Sequence, residues 1–198
     1  NLPNGAATTA DAYRYFLDSA GLNEGIRQTL EGLDVSNVHD LAARGAAIRD
    51  MIVKAELPQD FEEEIKRGYL ELCQKCGHDG DMVVAIRSSA TAEDLPNASF
   101  AGQQATFLNI KGQNEVVQSV KECIASLFTD RAIVYRVTNG FDHMKVALSV
   151  GIQQMVAVRS ECAGVMFTID TESGFKNAVV VSSIYGLGEN IVQGHVSP

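Results

Sequence analysis

The hydrophobic period of this chain changes at Met82, and that change limits what the chain can fold into. Before it, apolar residues recur at helical spacing. After it they gather into short runs rich in Val, Ile and Phe, at residues 82–86, 104–110, 145–157, 163–169 and 177–184, the texture of strands bounded by turn residues. The pattern predicts an α+β fold, with a helical segment over residues 1–80 and an α+β segment over 81–198. The second segment should hold a mixed or antiparallel sheet with flanking helices. No internal repeat, low-complexity tract or long linker is visible, and the softest joint is CGHDGD, residues 76–81.

The helices can be placed from their caps and faces. Thr8 or Thr9 can cap a helix running to about Ser19, with Asp11 in its first turn and Gly21 placed to stop it. A second runs from Glu24 to Leu33. Ser36 or Asn37 caps a third, whose Val38, Leu41, Ala42, Gly45, Ile48 and Ile52 form one apolar face. Pro58 suits the first turn of a fourth, with Phe61, Ile65, Tyr69 and Leu72 facing the core. Its acidic start, Asp60 and Glu62 to Glu64, sits where the helix dipole favours anions and reads as a solvated face. A fifth spans Gln113 to Phe128 with Val116, Val117, Val120, Ile124 and Leu127 inward, and a sixth starts at a Thr129 cap and is over by Gly140.

Within the strand region one stretch carries chemistry, VVAIRSSATAEDLPNASFAGQQATFLN, residues 83–109. An apolar run ends in Arg87, Ser88 and Ser89, and a polar loop with Pro96 and Gly102 follows before apolar character resumes at Thr106. Arg87 offers a planar fork of donors matched to phosphate oxygens, the serines add hydroxyls, and Gly102 lets a ligand approach the backbone. That describes an anion grip. A buried strand ending in an ordinary polar turn explains the same residues, with Arg87 paired to Glu93 or Asp94.

Charge and cysteine usage exclude several classes. The formal charge of −9, from 16 basic and 25 acidic residues, opposes nucleic acid as a partner, since polyphosphate binding needs clustered cations. A mononucleotide is compatible, because two or three placed cations suffice. No apolar run approaches the ~20 residues that span a bilayer and nothing resembles a signal peptide, so neither a membrane partner nor export is expected. Four cysteines fit a reducing cytoplasm. Cys73, Cys76 and His78 in CQKCGH offer three ligands where structural zinc wants four, and two thiols at a helix end is the simpler reading. The loop GLGENIVQG has Ile191 where the dinucleotide fingerprint needs glycine, and no P-loop motif occurs.

RSSATAEDLPNASFAGQQATFLNI, SLFTDRAIVYR, GFDHMKVALSVGIQQMV, AGVMFTIDTESGF and YGLGENIVQG follow one another in the order and spacing of a known family. They are spread over more than half the chain, residues 87–194, and the chain resembles the N-terminal nucleotide-binding domain of the ATP-grasp dikinases. Within that group, which includes pyruvate phosphate dikinase and rifampicin phosphotransferase, DTESGF and YGLGENIVQG favour the phosphoenolpyruvate synthase (pyruvate, water dikinase) type. The resemblance implies a partial ATP-grasp fold, to which both segments belong. It assigns ATP phosphates to Arg87, and places Gly102 and Thr106 in the loop that folds over the nucleotide, with Ser88 and Ser89 beside them. Gln153 and Met155 fall on the strand alongside adenine, and Glu189 on a loop bordering the site.

The implied activity makes phosphoenolpyruvate from pyruvate, ATP and water, giving AMP and phosphate through a phosphohistidine, with Mg2+ accompanying ATP. No catalytic or metal-ligating residue is expected in this stretch. The family's carrier histidine lies on another domain, so His143 is not assigned that role. The family's Lys loop precedes the segment that ATTADAY matches, and its closing Glu, Gln and Arg follow the segment ending at Pro198. The expectation is therefore a fragment inactive alone. The resemblance allows a homodimer of the full-length enzyme, and the sequence leaves oligomeric state open. A related dikinase with another acceptor, or a noncatalytic nucleotide-binding module, remains the alternative.

Overall fold

The computed structural model describes residues 2–91, 94–95, 98–99, 105–156, 162–192 and 194–196. Their elements run β1 (Gly5–Ala7), α1 (Ala10–Ser19), α2 (Leu22–Leu30), α3 (Val38–Lys54), α4 (Gln59–Lys75), β2 (Val83–Ala90), β3 (Asp94–Leu95), β4 (Ala98–Ser99), β5 (Thr106–Lys111), α5 (Gln113–Ala125), a 3-10 turn (Ser126–Phe128), α6 (Asp130–Thr138), β6 (Leu148–Gln154), β7 (Cys162–Phe167), β8 (Val180–Tyr185) and α7 (Glu189–Val192). The α+β class read from the sequence is the class observed. Two compact units divide the chain, Asn1–Gln154 and Met155–Pro198.

In the first unit four strands pair antiparallel in the order β1-β6-β2-β5. Helices α1, α4 and α5 pack on the sheet, and α3 packs on α5. The core lies between these layers, where Val84, Ile86, Val150 and Ile152 from the strands meet Phe16, Ile48, Ile52, Tyr69, Val116, Val120 and Ile124 from the helices. Capping follows side-chain chemistry. Thr9 Oγ1 accepts from the Ala12 N–H at 3.1 Å and Asn37 Oδ1 from the Asp40 N–H at 3.1 Å, each satisfying a donor the helix leaves orphaned. Val38, expected on the inner face of α3, is 68% exposed at the first residue of that helix, whereas Leu41 and Ile48 are buried.

Gly45 has a packing reason. A Cβ there would meet Asp130 Oδ1 at 2.9 Å and the Phe128 carbonyl at 3.2 Å, so glycine lets α3 close onto the turn before α6. Arg49 Nη1 then donates to that carbonyl at 2.7 Å. A second cation is wholly buried. Arg136 donates from Nη1 to the Leu127 carbonyl at 2.6 Å and from Nε to His143 Nδ1 at 2.8 Å, with its guanidinium 5.3 Å from the Phe128 ring centroid. Burial lowers the Arg136 pKa to about 10, with Tyr13 acting in the opposite sense, so the group is still charged at neutral pH.

The second unit holds an antiparallel β7–β8 pair. Before β8, Asp170 accepts from the Ser173 hydroxyl and from the Glu172 N–H, and the Gly174 N–H donates to the Asp170 carbonyl. The DTESGF segment thus closes on itself as a turn, and these hydrogen bonds, the Ser173 hydroxyl first, hold the Asp170 carboxyl below its ordinary pKa.

Candidate functional site

Strand β2 decides where the candidate residues stand. The apolar run was expected to end the strand at Ile86, but the strand continues through Arg87, Ser88 and Ser89 to Ala90. The reason is pairing to β6: Ser88, Ser89 and Ala90 lie opposite Val150, Ser149 and Leu148 on that strand, so the backbone groups of the polar residues enter a ladder. Alternation along VVAIRSSA then sorts the side chains. Val84, Ile86 and Ala90 are buried on the helix side with Ser88 among them, whereas Arg87 and Ser89 are exposed on the opposite face.

Register brings Arg87, Thr106, Gln153 and Ser89 together on that outer face. Arg87 stands directly opposite Thr106 of β5 on one side and Gly151 of β6 on the other, and Gly151 in turn stands opposite Ala7 of β1. Gln153 is opposite both Ala85 and Gly5, one step along the same face. Direct cross-strand neighbours have Cβ atoms about 5 Å apart, so Arg87, Thr106 and Gln153 form one patch, with Ser89 at its end. Arg87 is exposed on that face.

A β-bulge creates this arrangement. Val83 pairs with Lys111 and Val84 with Ile110, but Ile86 pairs with Phe107 and Arg87 with Thr106, so the register slips by one residue between Val84 and Ile86. Asn109 takes a positive φ of 61° in the bulge, a conformation Asn tolerates better than most residues. Without the slip Phe107 would face Arg87 and Thr106 would turn inward. With it Phe107 joins the core and a hydroxyl stands beside the guanidinium, a local re-aiming typical of bulges.

The remaining expectations fare differently. Ser88 is turned to the helix side opposite the buried Val150, so it is corrected: it shares no face with Arg87, because strand alternation separates neighbours. Gly102 and Glu93 lie outside the described residues. Met155 follows the end of β6 and opens the second unit; Glu189 begins α7 in that unit and is exposed. Cys73 is buried and Cys76 half-buried, its Sγ 3.6 Å from Asn4 Nδ2 and 3.4 Å from Gln154 Oε1. No group of three metal-ligating side chains occurs among the described residues.

Sequence reading overlooked Gly151 and the edge strand β1, whose three residues, Gly5–Ala7, are too few to give a periodic signal. A cavity of about 380 Å3 is lined by Glu24, Arg27, Asp142 and His143, and none of the expected site residues borders it. No helix among the described residues is long and apolar enough to cross a membrane.

An antiparallel sheet that presents an arginine, hydroxyls and an amide on the face away from its helices suits an anionic ligand with a polar body, and relatives place it further. The family model for the pyruvate phosphate dikinase AMP/ATP-binding domain matches residues 1–198. The phosphoenolpyruvate synthase of Pseudomonas aeruginosa (strain UCBPP-PA14) is 54% identical over 198 residues, covering 100% of this chain and 25% of that protein. The phosphoenolpyruvate synthase of Escherichia coli (strain K12) is 50% identical with the same coverage. A probable phosphoenolpyruvate synthase of Methanocaldococcus jannaschii is 50% identical over 197 residues, 16% of its length. The chain thus spans a quarter or less of these relatives. Matched from its first residue to its last, the chain belongs to the pyruvate phosphate dikinase AMP/ATP-binding domain family.

Proposed function

We propose that this chain is the ATP-binding part of a phosphoenolpyruvate synthase, a phosphotransferase that makes phosphoenolpyruvate from pyruvate, ATP and water and releases AMP and phosphate. The phosphohistidine that carries the phosphoryl group would lie on another domain. The helical and strand-rich segments are read as parts of one ATP-binding domain, working in the cytoplasm. The observation that carries this reading is the cross-strand row Thr106, Arg87 and Gly151 on the face turned away from the helices. There the Arg87 fork receives phosphate oxygens, Thr106 and Ser89 supply hydroxyls, and Gln153 lies along the base; Met155 remains a candidate from the resemblance alone.

Phosphoryl transfer asks a protein mainly for positioning and charge neutralisation. In this reading Arg87 supplies a fixed positive charge on the central strand of a hydrogen-bonded sheet, so little reorganisation accompanies binding. Mg2+, entering with ATP, would neutralise further phosphate charge; Glu189, on the second unit, is a weaker candidate that rests on the resemblance alone.

Calorimetry with a nonhydrolysable ATP analogue and Mg2+, on the full-length polypeptide that carries this chain, tests the site. A lost charge-assisted hydrogen-bond pair costs about 2 kcal/mol, roughly thirtyfold in affinity, and that is the expected effect of Arg87→Ala. Unchanged affinity removes Arg87 from the site. Absence of binding by the unsubstituted protein removes the site altogether, and pyruvate-dependent AMP formation by the 198-residue chain alone would contradict the placement of the carrier histidine elsewhere.

A further inference from the structure

Glycine at position 151 is anomalous for its place in the fold. β6 is flanked by hydrogen-bonded strands on both sides, β1 and β2, and the interior of such a strand favours β-branched residues, with glycine weakening it. Two scaffold reasons would excuse a glycine, and neither applies. Its φ is not in the left-handed region, which the chain's other glycines such as Gly112 and Gly140 do adopt. Nor is it crowded: among the described residues a Cβ there would meet only the Arg87 carbonyl, at 3.6 Å, an ordinary contact.

Neighbouring glycines on strands differ. A Cβ at Gly5 would sit 3.1 Å from the Ile152 carbonyl, and one at Gly164 would press into the Ser182 carbonyl, so close backbone approach explains both. At Gly151 the described residues leave the space open, and it opens on the outer face directly beside Arg87. What remains is a reason outside the scaffold, the close approach of a ligand.

We propose that Gly151 is a specificity-determining position: it leaves the floor beside Arg87 bare so that the phosphate chain of a nucleoside triphosphate can lie across β6 and reach the guanidinium. This rests on the nucleotide reading of the outer face and deepens it, by naming the strand over which the ligand passes. A side chain here would stand in the ligand's path, while its Cβ would make only an ordinary contact with the Arg87 carbonyl.

The test is a graded series on the full-length polypeptide, Gly151→Ala and Gly151→Val, with binding of a nonhydrolysable ATP analogue and Mg2+ read by calorimetry and folding read by thermal melting. The Val variant is expected to bind about tenfold or more weakly, the scale of a misfitted apolar group in a pocket. The Ala variant should fall between it and the parent, and melting temperatures should stay level or rise. Should the Val variant misfold, the Ala variant, whose Cβ fits, decides by whether its affinity drops. Parent-like affinity in the folded variants overturns the proposal. If affinity is parent-like here yet falls on Arg87→Ala, the nucleotide reading stands and only the role of Gly151 is lost; if the parent binds no analogue, both go together.

Discussion

Acidification should weaken this fold through a single imidazole. His143 Nδ1 accepts from Arg136 Nε at 2.8 Å, which puts the proton of the neutral ring on Nε2. Protonation of Nδ1 would abolish that bond and set a second positive charge against a buried guanidinium. Burial first, then the Arg136 charge, lowers the His143 pKa to about 4, with Asp142 acting the other way. An unfolded histidine titrates near 6.5. Between these values the unfolded state binds the proton and the folded state does not, so stability is full above about pH 6.5 and falls as pH drops toward 4.

The two pKa values set a ceiling of about 2 kcal/mol for the loss between pH 7 and pH 5. His143 is partly exposed, and solvent screening reduces the expectation to about 1 kcal/mol, or roughly 2–4 °C in melting temperature for a chain of this size. Carboxylates also titrate in this window, so the informative comparison is with His143→Asn. Its amide oxygen can accept from Arg136 without titrating. Thermal melts at both pH values should show the parent losing about 1 kcal/mol more than His143→Asn. Parallel pH dependence in the two proteins would refute the reasoning, as would an imidazole NMR titration with its midpoint near 6.5.

Tyr69 should matter more than its hydroxyl suggests. Fully buried, it donates to the Met82 carbonyl at 2.7 Å and accepts from the Gly112 N–H at 3.1 Å, tying α4 to the entry of β2 and the exit of β5. Tyr69→Phe should cost about 2 kcal/mol in denaturant unfolding by leaving buried backbone groups unpaired; a loss below about 0.5 kcal/mol would mean water replaces the hydroxyl. Gly164→Ala should disrupt the β7–β8 pair, because its Cβ would press on the Ser182 carbonyl. Hydrogen exchange of the amides in residues 162–167 and 180–185 should accelerate, while protection unchanged from the parent would show that the backbone yields.

Much of the helical layer was legible in the residues. Thr9, Asn37 and Thr129 cap where short oxygen side chains precede a helical period, and the inward faces of α4 and α5 match the apolar spacing, because 3.6-residue periodicity is a local property. Val38 failed for a nonlocal reason, since spacing says which residues share a stripe but not which of them the fold covers. Arg87 was legible as an anion-binding type of side chain, and its strand context was misjudged. Polarity at Ser88 and Ser89 suggests a loop, and only pairing to β6 keeps that backbone extended.

Residue types by themselves therefore determined the class of the fold, several helix caps and inward faces, the family and the chemical character of the candidate site, because each is written in local composition, period or contiguous motif. The ends of the second helix, read as Glu24 to Leu33 but observed at Leu22–Leu30, were not among them. Which side chains share a face was settled in three dimensions. The bulge at Asn109 turns Thr106 outward and Phe107 inward, alternation on a strand longer than its apolar run removes Ser88, and β6 carries Gln153 and Gly151 to Arg87 across more than 60 residues of chain. Register is a relation between strands, fixed by how their inner faces fill one core, and no single strand's sequence contains it.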